Sequence, residues 1–402
     1  MNTAWRIAVV GAGPVGLALA LHAARLVPHA SITVFDARAE DHDVSRDPRT
    51  LALSLGSVQF LQRLGVWDAG GAGAAAEPIT TVHVSQATPS LLGDKLGASA
   101  VELHAAALGV PQLGAVLAYG SLLAPLQAAW LADAADAPDR LTTRLGTRVE
   151  AIDAVADGVD VRSAGGGTQR FDLAVVAEGG VFAEQAHKTV RHDYTQTAWV
   201  GSVVLGGATR GMAFERFTRH GPAALLPLPR LADGAHRAAL VWCVPQADDP
   251  VRELDAVQRG AVLGTIFPAA AGRIESISEL KAFPLGLNAE RTLVHGRTVR
   301  VGNAAQTLHP VAGQGMNLGL RDAHALVAAL RWAEDLDVAL KRIEWARAPD
   351  RWSTIATTDF LARSFTWQLP GAASARSLGL AAVQAAPQLK RWLARQMMFG
   401  WR

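Results

Sequence analysis

What the chain lacks removes several classes of protein. There is one cysteine, Cys243, in 402 residues. No internal disulfide can form, which fits a reducing cytoplasm. Cys243 follows Trp242 in an apolar run, so a buried strand position is expected for it. Neither charge sign is in excess: 38 Lys plus Arg face 36 Asp plus Glu, a net of +2. Such a balance gives no field that would draw nucleic acid, and no nucleic-acid partner is expected. No apolar run is long enough to span a bilayer. The apolar residues 7–21 are interrupted by Gly11, Gly13, Pro14 and Gly16, which suit a strand, a turn and a helix start better than a secretory leader. The 12 histidines are scattered, with no metal-site spacing.

What is present reads as α/β. Residues 6–10 form a short apolar run of parallel-strand size, and residues 14–26 have helix composition with Pro14 in the first turn, where its missing N–H is harmless. Residues 31–35 are a second strand ending at Asp36. Two later stretches fit the same sheet. Residues 171–177 read as a buried strand running into Glu178-Gly179-Gly180. Residues 297–301 read as another, followed by a Gly-rich loop and a helix over roughly 315–333. Between them, about 182–290, alternating and aromatic-bearing runs broken by Gly and Pro predict a mostly antiparallel sheet. Residues 79–119 are expected to lend strands to it. From about Ala346 the chain reads as helices.

Gly11-Ala12-Gly13-Pro14-Val15-Gly16 is a G-x-G-x-x-G between a strand and a helix. The first glycine permits the tight turn, the second lets backbone approach a pyrophosphate, and the third lets helix and strand pack closely. The helix N-terminus offers unpaired N–H groups to phosphates. Asp36 lies 20 residues past Gly16, where an acid can take ribose hydroxyls. Strand, helix and acid agree on a dinucleotide.

The run 302–321, GNAAQTLHPVAGQGMNLGLR, resembles the flavin-contacting segment of class A flavoprotein monooxygenases, the para-hydroxybenzoate-hydroxylase superfamily. Asp47-Pro48-Arg49-Thr50-Leu51 resembles the stretch whose arginine contacts the cofactor there. Residues 213–218 (AFERFT), with Gly221-Pro222 and residues 224–228, resemble the substrate-domain segment of ubiquinone-biosynthesis hydroxylases of 2-polyprenylphenols, in particular the 2-polyprenyl-6-methoxyphenol branch. The resemblance spans nearly the whole chain. It implies a Rossmann-like FAD-binding domain over residues 1–181, with 79–119 contributing to the substrate sheet. An inserted β-sheet substrate domain over 182–290 follows. The flavin-contacting part of the FAD-binding domain covers 291–345, and a C-terminal helical region covers 346–402.

The resemblance implies FAD as cofactor, held by Gly11, Gly13, Pro14, Gly16, Asp36, Arg49, Gly302, Asn303, Pro310, Gly313, Gln314, Gly315, Met316 and Asn317. It implies NADPH or NADH as a transient reductant and O2 as co-substrate. His309 and Pro310 are the candidate catalytic residues, His309 tuning protonation and Pro310 packing on the ring. Phe217 and Pro227 are candidates for the substrate cavity. Three positions depart from most relatives: Asn303 and Glu178 where Asp is frequent, and Leu122 where a polar group is frequent. Weaker cofactor binding is the expectation from them.

Leu389, Trp392, Leu393 and Met397 recur at helical spacing, followed by Met398, Phe399 and Trp401, with Lys390, Arg391 and Arg395 on the other side. Such a helix suits a membrane surface or docks on protein. A polyprenylated phenol substrate favours peripheral contact of a cytoplasmic protein with the inner membrane. Three functions remain open at this point: a ubiquinone-pathway monooxygenase, a hydroxylase of a soluble phenol, and a flavoprotein subunit of a multi-enzyme biosynthetic complex.

Overall fold

The computed structural model describes residues 5–68, 70–87, 100–179, 188–364 and 371–401. Gly180, residues 88–99 of the expected strand-lending stretch and the 181/182 boundary lie outside them. The described helices are Pro14–Leu26 (α1), Leu55–Arg63 (α2), Tyr119–Asp136 (α3), Ala256–Ile266 (α4), Gln314–Arg331 (α5), Leu336–Ser364 (α6), Ala372–Ala385 (α7) and Pro387–Phe399 (α8).

A six-stranded sheet anchors the nucleotide-binding half. Its centre is Arg6–Val10, flanked in parallel by Ser31–Phe35 on one side and Leu173–Val176 on the other. Thr298–Arg300 extends the second side and Leu141–Arg144 the first, both in parallel. The three central strands are mostly apolar because both faces are covered: α1 and α5 pack on the side of Ile7, Val9, Ile32 and Val34, and the strands Gly158–Ser163 and Thr168–Phe171 cover Ala8, Phe35 and Ala174. The chain leaves the central strand in opposite directions on its two sides. That switch point opens a crevice at the carboxyl ends of the strands.

The second half is a nine-stranded sheet. Its core is the long strand Val190–Gly206, paired antiparallel with His236–Pro245 and Lys281–Ala289. Pro222–Leu228 and Met212–Phe217 continue it. The sheet is not purely antiparallel: Met212–Phe217 runs parallel to Thr81–Gln86.

Several boundaries differ from the sequence expectation. The stretch 171–177 is not one strand. Phe171 ends the hairpin strand Thr168–Phe171, and the parallel strand is Leu173–Val176. Asp172 divides them because its carboxylate accepts the Arg6 backbone N–H at 2.7 Å. Of the described residues within 79–119, Thr81–Gln86 and Ala100–His104 join the large sheet. Glu77–Ile79 and Gly114–Ala118 build a separate small sheet with Thr50–Ser54. Helix α6 begins at Leu336, ten residues before the expected start of the helical region, and Pro349 lies within it. Around that proline, buried Arg347 pairs with Asp322 at 2.7 Å and with Asp350 at 2.5 Å, which ties α6 to α5.

Candidate active site

The crevice is built by turns packed against each other. Gly11 has φ +104°, and a Cβ there would lie 2.7 Å from the Glu178 backbone nitrogen. A Cβ on Gly16 would come within 2.0 Å of the Gly11 carbonyl oxygen. A Cβ on Gly179 would lie 2.8 Å from Asn303. The strand-end turns 11–16, 178–179 and 302–303 therefore meet in one place. Helix α1 starts at Pro14 with Gly13 as its N-cap and no side-chain cap, leaving its first N–H groups facing that place.

Asp36 stands at the end of the second strand. Its carboxylate accepts the Ala12 N–H at 2.6 Å and the Arg38 guanidinium at 2.9 Å. Burial works to raise this carboxyl, but the Arg38 hydrogen bonds and charge outweigh it and hold the group below the usual carboxylate range. Arg49 is clamped by Asp47 at 2.6 Å and lies over the Tyr119 ring. The Tyr119 hydroxyl reaches the glycine loop, 3.3 Å from where a Gly13 Cβ would sit. Burial raises the Glu178 carboxyl, and the nearby Asp36 charge adds to it.

The segment 309–317 links the crevice to a cavity. His309 is buried and its hydrogen bonds are internal: Nε2 meets Gln196 Oε1 at 3.0 Å, and Nδ1 accepts the Val311 N–H at 3.2 Å. Gln196 is aimed at it by a bulge between Asp193 and Gln196, where Thr195 has φ +51°. Burial lowers the imidazole to about 4, so it stays neutral. His309 supports the loop through these bonds and is not among the residues lining the apolar cavity beside it. Asn317 is likewise committed. Its side chain donates to the Ala52 and Gly313 carbonyls and accepts from Ser54 N–H and the Ser57 hydroxyl. Its amide fastens α5 to the strand Thr50–Ser54 and to α2. Gly313, with φ +58°, is the N-cap of α5 and offers no side-chain cap. A Cβ on Gly315 would meet nothing within 4 Å, so open space lies before that helix start. Met316 is half-buried against the main core.

From Pro310, Val311, Gly313 and Gln314 a cavity of about 290 Å³ runs under the large sheet. Its walls are apolar side chains such as Val82, Leu103 and Leu226, and its far end is closed by Leu380 of α7 and Ala394, Met397 and Met398 of α8. Phe217 lines it and packs on Val311. Pro227 does not. It neighbours Leu226 on the same strand, successive strand residues face opposite ways, and Pro227 borders a small recess on the other side. One lining group is out of character: Glu215, a carboxylic acid among hydrocarbons. Burial pushes it up to about 8.

A family model described as "FAD binding domain" matches residues 4–335. The chain belongs to that family. It is similar to the ubiquinone hydroxylase UbiL of Rhodospirillum rubrum, 32% identical over 98% of this chain and 89% of the relative. It is also similar to 3-demethoxyubiquinol 3-hydroxylase of Escherichia coli, 30% identical over 97% of each. Among solved structures it resembles an HpxO variant of Klebsiella pneumoniae complexed with FAD, with TM-score 0.73 and 17% identity over 98% of this chain and 99% of that one.

The residues present fit the family's cofactor. Two uncapped helix N-termini and a glycine loop that admits no Cβ suit a pyrophosphate and a flat ring. Tyr119 carries no motif and escaped the sequence reading, and Glu215, although it lies in the 213–218 stretch, was not singled out within it. Only their convergence with Arg49 and with Phe217 reveals them.

Proposed function

We propose that the protein hydroxylates the aromatic ring of a polyprenylated methoxyphenol in ubiquinone biosynthesis, using FAD, O2 and NAD(P)H. At the level of reaction class it is an FAD-dependent monooxygenase of the ubiquinone-hydroxylase kind. The observation that carries the finer reading is the cavity. It joins the 310–314 loop to the two C-terminal helices through an almost wholly apolar passage. A ring-sized head beside the loop with an isoprenoid tail toward α7 and α8 matches that shape, whereas a small soluble phenol would leave most of the passage empty.

In this reading the Gly11–Gly16 loop and α1 hold the pyrophosphate, Asp36 the ribose, and Arg49 with Tyr119 the stretch between the phosphates and the ring. Gly302 and Asn303 border the same crevice, and Pro310, Gly313, Gln314 and Gly315 face the ring. Bound FAD supplies the activation of O2 by electrons from NAD(P)H. The chain's own part is to orient the phenol, keep water out, and handle its proton. Phe217 and Val311 narrow the cavity where the head would lie, and the hydrocarbon walls exclude water.

The cavity abuts α8, which together with the residues after it exposes Leu389, Trp392, Met397 and Trp401. We extend the proposal to peripheral contact of this helix with the membrane that holds the substrate. Among the described residues no helix is long and apolar enough to cross a membrane.

The test is aerobic turnover of the FAD-loaded protein with NADPH and a short-chain 2-prenyl-6-methoxyphenol. An oxygen-added product by mass spectrometry that depends on both reactants is expected. NADPH consumption yielding only peroxide would remove this substrate class.

A further inference from the structure

We propose that Glu215 is the catalytic base of this site, accepting the proton of the substrate's ring hydroxyl. The inference rests on the hydroxylase reading above and adds a residue to it.

The placement comes from the strand Met212–Phe217. Alternate residues Ala213, Glu215 and Phe217 line the cavity. Phe217 packs on Val311 of the 309–317 segment, while Ala213 belongs to the cluster that includes Ala394 and Met398 of α8. Glu215 lies one strand repeat, about 7 Å, from Phe217. Phe217 itself packs on the loop at which the flavin would lie, so Glu215 is the next cavity-facing residue of the strand from that loop. The carboxyl is therefore beside the head of a bound phenol and not beside its tail.

Among the described residues the Glu215 carboxyl has no hydrogen-bond or ion-pair partner, and desolvation is the only influence on its titration. Of the groups lining the cavity, only Glu215 and Cys243 titrate. Cys243, on the strand His236–Pro245, is itself pushed far up by burial and by the Glu215 charge, so it remains a neutral thiol. Arg216 points to the other face of the sheet, donating to the Ile266 carbonyl at 2.9 Å and the Ser85 hydroxyl at 2.8 Å. His83 and Glu102 pair with each other on that same far face. A half-buried acid in a hydrocarbon cavity, without a partner among the described residues, is costly to the fold, which points to a ligand that uses it.

The chemistry balances simply. The ring O–H bond breaks and its proton bonds to a carboxylate oxygen of Glu215, which makes the ring a stronger nucleophile. The ring carbon takes one oxygen atom of O2, NAD(P)H supplies two electrons, and the second oxygen leaves as water. The carbon loses its hydrogen as a proton, and Glu215 returns a proton to the phenolate oxygen. A base with a pKa near 8 is well matched to this exchange close to neutrality.

The experiment compares holoenzyme of wild type, Glu215→Gln and Glu215→Asp. FAD content and thermal melting serve as fold controls. In wild type, kcat/KM should rise with pH to a plateau, with a midpoint near the free-enzyme value of about 8. Glu215→Gln should lose that rise, and its plateau rate should fall by roughly 10²- to 10⁴-fold. Glu215→Asp should keep the rise and recover part of the rate. Independently of turnover, phenol added above the Glu215 pKa should shift an infrared carboxylate band of the wild-type protein. That measurement decides the matter if the Gln variant fails to fold. A rise that persists in Glu215→Gln, or a carboxylate band that phenol leaves unmoved, overturns the assignment. Wild-type protein that neither binds phenol nor forms an oxygenated product overturns the hydroxylase reading itself, and this inference with it.

Discussion

The Arg49 guanidinium lies 4.2 Å from the centre of the Tyr119 ring, and the same arginine is gripped by Asp47. The two residues are 70 positions apart, and the Tyr119 N–H donates to the Arg49 carbonyl at 2.6 Å. The stack fixes an otherwise exposed cation at the edge of the crevice. Tyr119→Ala removes it and trims a ring packed at the edge of the main core. FAD should dissociate about 3- to 30-fold more readily, as measured by flavin fluorescence at equilibrium. The cofactor-free protein should melt somewhat lower than wild type, and added FAD should raise its melting temperature less. An unchanged FAD affinity would remove Tyr119 and Arg49 from the cofactor site.

Two glycines separate packing from cofactor approach. Gly16→Ala would drive a methyl group to 2.0 Å from the Gly11 carbonyl, so the protein should be destabilised even without FAD. Gly315→Ala meets no protein atom within 4 Å. It should fold like wild type and lose FAD affinity only if the ring lies against that helix start. Calorimetric melting with and without FAD distinguishes the two. Equal behaviour of the two variants would contradict the proposed path of the cofactor.

Acid should weaken the fold through two buried histidines. His22 and His309 are both held near 4 from an ordinary 6.5, first by burial and, for His22, also by His324 and nearby arginines. Their folded pKa lies below the unfolded one, so the unfolded chain binds more protons between the two values. Their share of the stability is full above about 6.5 and falls as the pH drops toward 4. Glu215, pushed up to about 8, acts in the opposite sense, so the urea midpoint is followed in Glu215→Gln, where it should fall with the pH over that interval. His309→Gln should flatten part of the slope.

The tail end of the cavity sets a length limit. Leu380→Trp would fill space between α7 and the large sheet. The KM for a long-tailed phenol should rise about 5- to 100-fold while a one-isoprene analogue is little affected. Equal effects on both would place the tail elsewhere.

The glycine turns were legible from the sequence because their requirement is local: only a residue without Cβ fits beside the Gly11 carbonyl or the Glu178 backbone. Glu215 was hidden for the opposite reason. Its strand is covered on both faces, so hydrophobic alternation does not tell which face a residue takes. Pro227 shows the same ambiguity, since a shift of one residue along Pro222–Leu228 exchanges cavity for recess. His309 was singled out correctly as an ionisable group next to the loop, but its partner Gln196 is 113 positions away and reaches it only through a bulge with no local signal. Pro349 suggests a helix break, yet the buried Arg347–Asp322 and Arg347–Asp350 pairs hold the helix through it.

The order in which the central sheet is assembled has a consequence during synthesis. Arg6–Val10 leaves the ribosome well before its neighbour Leu173–Val176, and Thr298–Arg300 follows later still. Asn317, which fastens Ala52, Ser54 and Ser57 to α5, emerges after all three. Until then a nascent chain carries its dinucleotide loop without the walls that would shelter it. Apolar strand edges stay open during that interval, and chaperone protection or slowed elongation ahead of residue 300 would raise the yield of cofactor-loaded protein.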